Sequence, residues 1–134
     1  MRTILKLAAA LVAVIFASSL FADTITIPKR YRNSAGVTFT ALSANGSTAS
    51  YDTEAVMNNH TVTVVPTGGP SGCTLTMEGS LDGTNWFTII TAATCTSVVS
   101  AHGVDKPARY VRGTLSALAG GTTPTVTVKY VGAR

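Results

Sequence analysis

The chain has 134 residues, 46% of them hydrophobic but only 12% charged and 7% aromatic, which suits one compact domain and little else. Its polarity comes mostly from Thr, Ser, Asn and Gly, a mix uncommon in cytosolic enzymes and ordinary in extracellular β-proteins, where threonine fits the half-exposed face of a sheet. The formal net charge is +4, and two of the ten basic residues, Arg2 and Lys6, fall in the first six positions. Without them the excess is +2, too weak a field to point to nucleic acid as a partner.

"MRTILK" holds those two charges, and "LAAALVAVIFASSLF" (7–21) follows with none. A basic start, an apolar run of about 15 residues and small residues at its end describe a secretory signal peptide over 1–22. Cleavage is expected after Ala22, with Ser18 and Ser19 as alternative sites because Leu20 is larger than a signal peptidase prefers. A membrane span needs about 20 apolar residues, so no stable anchor is expected after processing. The remainder, 23–134, is expected to be a single domain that is secreted, periplasmic or held at the cell surface. It keeps both cysteines, Cys73 and Cys95. An even count in an exported chain points to a structural disulfide, and the absence of C-x-x-C argues against a redox pair.

Nothing after residue 22 has a helical period. "TITI" (24–27) aligns Ile25 with Ile27, and "KRYR" (29–32) is a basic cluster read as a solvated strand-to-loop segment. "VTFTAL" (37–42) puts Val37, Phe39 and Ala41 on one side. "SANGSTAS" (43–50) reads as a flexible polar loop with an Asn45-Gly46 turn. "TVTVV" (61–65) aligns Val62 and Val64, "PTGGPSG" (66–72) breaks the pattern, and "CTLTM" (73–77) aligns Cys73, Leu75 and Met77. "CTSVV" begins another alternating run at Cys95. After the break "AGGTTP" (119–124), "TVTVKYV" (125–131) sets Val126, Val128 and Tyr130 against Thr125, Thr127 and Lys129. Period-two alternation with one apolar face predicts strands buried on one side, assembled as an all-β antiparallel sandwich, jelly-roll-like.

The most informative stretch is "MEGSLDGTNWFTII" (77–90). Asp82-Gly83 is a turn pair, since glycine accepts a positive φ and aspartate bonds the backbone beyond it. Trp86 is expected to begin the return strand as a core or sheet-edge plug with its indole buried, and Glu78, opposite Leu75 and Met77, to be solvated. A hairpin accounts for every residue, and sugar stacking on Trp86 ranks below it.

"EGSLDGTNWFTI" followed by "PARYVRGTL" resembles the S-x-D-G-x-x-W and A-R-Y-V-R pairing of discoidin-like (galactose-binding-like) β-sandwiches. The wider stretch, 61–131, is similar to small β-sandwich proteins among phage virion accessory and attachment proteins. The resemblance implies a jelly-roll-like sandwich with a role in attachment or particle architecture. It carries no ligand residues, because the sugar-binding loops of that family have no match here. The signal peptide departs from the virion pattern and favours an exported bacterial relative or a domesticated copy.

Chemistry-bearing residues are sparse. His60 and His102 have no carboxylate or cysteine at ligand spacing, so both are expected to be surface histidines, and no metal is expected. Asp52 and Glu54 are too few oxygens for calcium, which takes six to eight, and are expected in a solvated loop. Arg109 and Arg112 are expected on opposite faces of one strand. No G-x-S-x-G, no phosphate cradle and no cofactor motif is present, so no enzyme is expected. The sequence reading is a non-catalytic exported sandwich that acts as a structural or adhesive component of an extracellular or virion-like assembly. It would partner itself or another surface or particle protein. The alternative is a carbohydrate-binding module contacting glycan through Tyr31 and Tyr51.

Overall fold

The structure is a computed structural model and describes residues 33–134. The expected signal peptide, the run 24–27, the basic cluster 29–32 and Tyr31 lie outside the described residues.

Among the described residues nine strands follow one another: β1 (Ser34–Thr38), β2 (Gly46–Ser47), β3 (Tyr51–Met57), β4 (Asn59–Thr67), β5 (Gly72–Ser80), β6 (Phe87–Thr94), β7 (Val99–Gly103), β8 (Ala108–Ala119) and β9 (Thr125–Ala133). They form two antiparallel sheets. One has four strands in the order β1-β9-β4-β7; in the other, β8 pairs with β2 and β3 along one side and with β5 along the other, and β6 lies beyond β5. The β5–β6 hairpin is the one place where consecutive described strands pair, and elsewhere the chain crosses between sheets or pairs at long range. The β-sandwich expected from the alternation is therefore present, with its strand order set by non-local pairing.

The inward positions build the core. Val62 and Val64 of β4, Leu75 and Met77 of β5, Val111 and Leu115 of β8, and Val126, Val128 and Tyr130 of β9 are all buried. Threonine occupies the opposite face of most of these strands, so one period-two pattern both fills the interior and wets the outside. Cys73 and Cys95 are bonded, with their Cα atoms 5.0 Å apart, and the Cys95 N–H donates to the Cys73 carbonyl at 3.1 Å. The bridge closes the far end of the β5–β6 hairpin.

Four local expectations need correction. The 37–42 run does not keep its alternation: Phe39 is buried, but Ala41 is exposed, and Leu42 packs against the core. An irregularity after Phe39 switches the parity, and the Leu42 and Val126 main chains then exchange two bonds of 2.9 Å. The 43–50 segment is not a free loop, because Gly46 and Ser47 pair with Leu115 and Thr114. Thr48 beyond them is buried. Strand β4 runs through Pro66 to Thr67, each paired with β9. The "CTSVV" stretch does not begin a strand: Val98 is 66% exposed and β7 starts only at Val99.

Candidate functional site

The stretch 77–90 folds as a hairpin in which the Asp82 carboxylate is taken up by its own turn. Asp82 Oδ1 accepts from the Ser80 hydroxyl at 2.8 Å and from the N–H groups of Thr84 and Asn85, each at 2.8 Å. Its Oδ2 accepts from Asn85 Nδ2 at 2.7 Å. These donors, led by the Asn85 and Thr84 N–H groups, hold the carboxyl well below the usual carboxylate range. Gly83 takes the positive φ, 78°, that the turn requires.

Trp86 is not the buried plug expected. It is half-buried just before β6, with the Arg112 guanidinium over its ring, 4.1 Å from the centroid. Glu78 does face away from Leu75 and Met77, but it is not simply solvated. It lies across from Arg112 in the β5–β8 register, accepts from Arg112 Nε at 2.7 Å and accepts from the Thr114 hydroxyl at 2.9 Å. Partial burial pushes this carboxyl up, and the bonds from Arg112 and Thr114 outweigh it, leaving it below its ordinary value.

A second ion pair lies along the same outer face. Asp52 is paired with Tyr110 in the β3–β8 register. It accepts two bonds from Arg109, Nε to Oδ1 at 3.0 Å and Nη2 to Oδ2 at 2.9 Å. The Arg109 guanidinium also lies 5.2 Å from the centre of the Tyr110 ring. Asp52 and Glu54 are thus in strand β3 rather than a solvated loop, and Glu54 sits at a bulge with φ 63°. Arg109 and Arg112 are not separated as expected, since the Arg109 guanidinium reaches Asp52 and the Tyr110 ring. Residues of the "S-x-D-G-x-x-W" and "A-R-Y-V-R" motifs therefore meet in space, where they brace the hairpin and β3 against β8.

The histidines divide. His102 is exposed and its Nδ1 lies 3.0 Å from the Thr61 hydroxyl. His60, expected at the surface, is only 1% exposed. Its Nε2–H donates to the Lys106 carbonyl at 2.7 Å, and its Nδ1 accepts from the Tyr130 hydroxyl at 2.8 Å. Burial lowers the His60 pKa from 6.5 and raises that of Tyr130, which favours the neutral forms of this core hydrogen-bonded pair. Sequence spacing does not reveal this, because the partners come from β9 and from the β7–β8 connection. Among the described residues, no three His, Cys, Asp or Glu side chains gather in a way that could hold a metal.

Among the described residues, a groove of about 330 Å³ is walled by 37–42 on one side and 47–51 on the other. Val37, Phe39 and Leu42 line its apolar part, and Thr40, Ser47 and Ser50 supply hydroxyls. Tyr51 borders it, half-buried, and packs against the core, so only part of its ring is open to a ligand. The groove arises where two irregular segments face each other, and no motif marks it in the sequence.

No protein-family model matches the chain, and no curated protein sequence matches it. Among solved structures, it is similar to the SPBc2 prophage-derived protein YomS, at 14% identity and TM-score 0.54, over 82% of this chain and 97% of that one. It is also similar to the CBM32 of AlyQ, solved with 4,5-unsaturated mannuronic acid, at 15% identity and TM-score 0.51, over 67% of this chain and 74% of that one. A third likeness is to a family 89 glycoside hydrolase from Clostridium perfringens, in complex with 2-acetamido-1,2-dideoxynojirmycin. It has 10% identity and TM-score 0.50, over 77% of this chain and 14% of that one. The shared feature is the fold. The chain has the discoidin-like antiparallel β-sandwich that its paired motifs resemble, with a phage-derived protein among its structural neighbours.

Proposed function

We propose that the chain is a non-catalytic, exported β-sandwich that works through its surface, as a structural or adhesive component of an extracellular or virion-like assembly. The observation that carries this reading is the outer face of the four-stranded sheet. There Thr61, Thr63 and Thr67 of β4 stand beside Val131, Lys129 and Thr125 of β9, and Thr61 and Thr63 also stand beside His102 and Ser100 of β7. Hydroxyl pairs bridge the strands, Thr63 to Ser100 at 2.9 Å and Thr67 to Thr125 at 2.7 Å. Such a regular face, with few charges, suits packing against a neighbouring surface. The one hydroxyl–imidazole contact on it, Thr61 with His102, lies in the open without an orienting carboxylate among its described partners. The Cys73–Cys95 bridge supports export, since disulfides persist in oxidising compartments.

Glycan binding is the second reading, favoured by the groove beside Tyr51 and by the sugar complex of one structural neighbour, the CBM32 of AlyQ. Pockets for small ligands begin near 300 Å³, so the groove has room for a sugar ring or two. Calorimetric titration with neutral sugars and uronic acids separates the readings. The assembly reading expects no saturable binding tighter than about 1 mM. Binding that Tyr51→Ala abolishes without lowering the melting temperature would establish the sugar reading instead.

A further inference from the structure

A sheet edge presents unpaired N–H and C=O groups that recruit another strand unless it is guarded. Among the described residues, three of the four edges are guarded. Strands β6 and β7 shield each other, because Gly103 lies so close to the Ile89 main chain that a Cβ there would collide with the carbonyl. The β2–β3 edge is broken by the bulge between Asp52 and Met57 and carries Asp52 and Glu54. Strand β1, "SAGVT", has no proline, no charge and no bulge.

Its bonding parity follows from its ends. Phe39 N–H donates to the Val128 carbonyl at 2.9 Å, and Arg134 N–H donates to the Asn33 carbonyl at 3.1 Å. In the β1–β9 register the odd positions therefore bond β9, while the main-chain groups of Ser34, Gly36 and Thr38 point away from it. Beside them is a shallow depression lined by Gly36, Val37, Thr38, Lys129, Tyr130 and Val131, and Val131 is 55% exposed.

We infer that the open edge of β1 pairs antiparallel with β1 of a second copy, about a two-fold axis through Gly36, joining the two four-stranded sheets into one. The segment is its own complement in that register. Gly36 faces Gly36 of the second copy, Ser34 faces Thr38, and Ala35 faces Val37. The three outward-pointing positions exchange about six main-chain bonds, two per pair. No like charges meet, and the glycine at the centre lets the strands approach without side-chain conflict. This deepens the assembly reading and rests on it.

Sedimentation velocity of the exported protein across a concentration series is the test, with two double variants at the exposed positions 34 and 38. The wild type should dimerise. S34K/T38K sets lysine against lysine in both outer pairs and should raise the dimer dissociation constant at least about tenfold. S34E/T38K sets glutamate against lysine and should dimerise as well as the wild type or better. Association that S34K/T38K leaves intact would overturn the edge pairing while sparing the assembly reading. A wild type that stays monomeric at about 0.1 mM overturns both.

Discussion

The Arg112 guanidinium lies 4.1 Å from the centre of the Trp86 ring while its Nε donates to Glu78 at 2.7 Å. One cation thus ties the centre of β8 to β5 and to the start of β6, over the outer face of the sheet. Trp86→Ala and Arg112→Ala should each cost about 1–2 kcal/mol, less than loss of a fully buried indole, and should couple by about 0.5–1 kcal/mol in a double-mutant cycle. Chemical denaturation of the four proteins measures this.

Gly79 should tolerate no side chain. A Cβ there would sit 2.7 Å from both the Ala108 Cβ and the Ile89 Cγ2, and both neighbours are buried. Gly79→Ala should therefore destabilise by about 1–3 kcal/mol through overpacking. Gly83→Ala is the control, since its Cβ would stand 3.7 Å from the Tyr110 ring and would strain only the backbone, by about 1–2 kcal/mol.

Acid should loosen the sandwich through His60. Its folded pKa lies below 6.5, chiefly because of burial, so the unfolded chain takes up the proton more readily. The stability that neutral His60 confers is complete above 6.5 and is lost as pH falls toward and through the lowered folded value. His60→Gln keeps a donor and an acceptor without titrating. Melting temperatures between pH 7 and 5 should fall in the wild type by more than in this variant.

Removing the Cys73–Cys95 bridge releases the loop it closes, a sequence separation of 22. The double variant Cys73→Ala/Cys95→Ala should lose about 3 kcal/mol on chain-entropy arithmetic, read as a lower denaturation midpoint. Non-reducing mass spectrometry of the exported wild type should find no free thiol.

Much of this architecture could be read from alternation alone. Val62 with Val64, Leu75 with Met77, and Val126 with Val128 and Tyr130 point inward as their spacing implies, because each lies in a strand with one wet face. Asp82-Gly83 announced the hairpin because turn chemistry is local. Less was legible where a contact depends on a distant partner. His60 is buried because Tyr130 and the Lys106 carbonyl satisfy both of its ring nitrogens, and nothing near it in the chain signals that. Arg112 determines the setting of Trp86 from across the sheet. The groove beside Tyr51 depends on the parity switch after Phe39 and on the pairing of Gly46–Ser47 with β8, two irregular features that no periodicity encodes.

The central claim is that this sandwich acts by associating through its surface. Size-exclusion chromatography with light scattering on the exported wild type tests it most directly. The account predicts a mass at least twice that of one chain, falling toward the single-chain value on dilution. A monodisperse single chain at every concentration would contradict it.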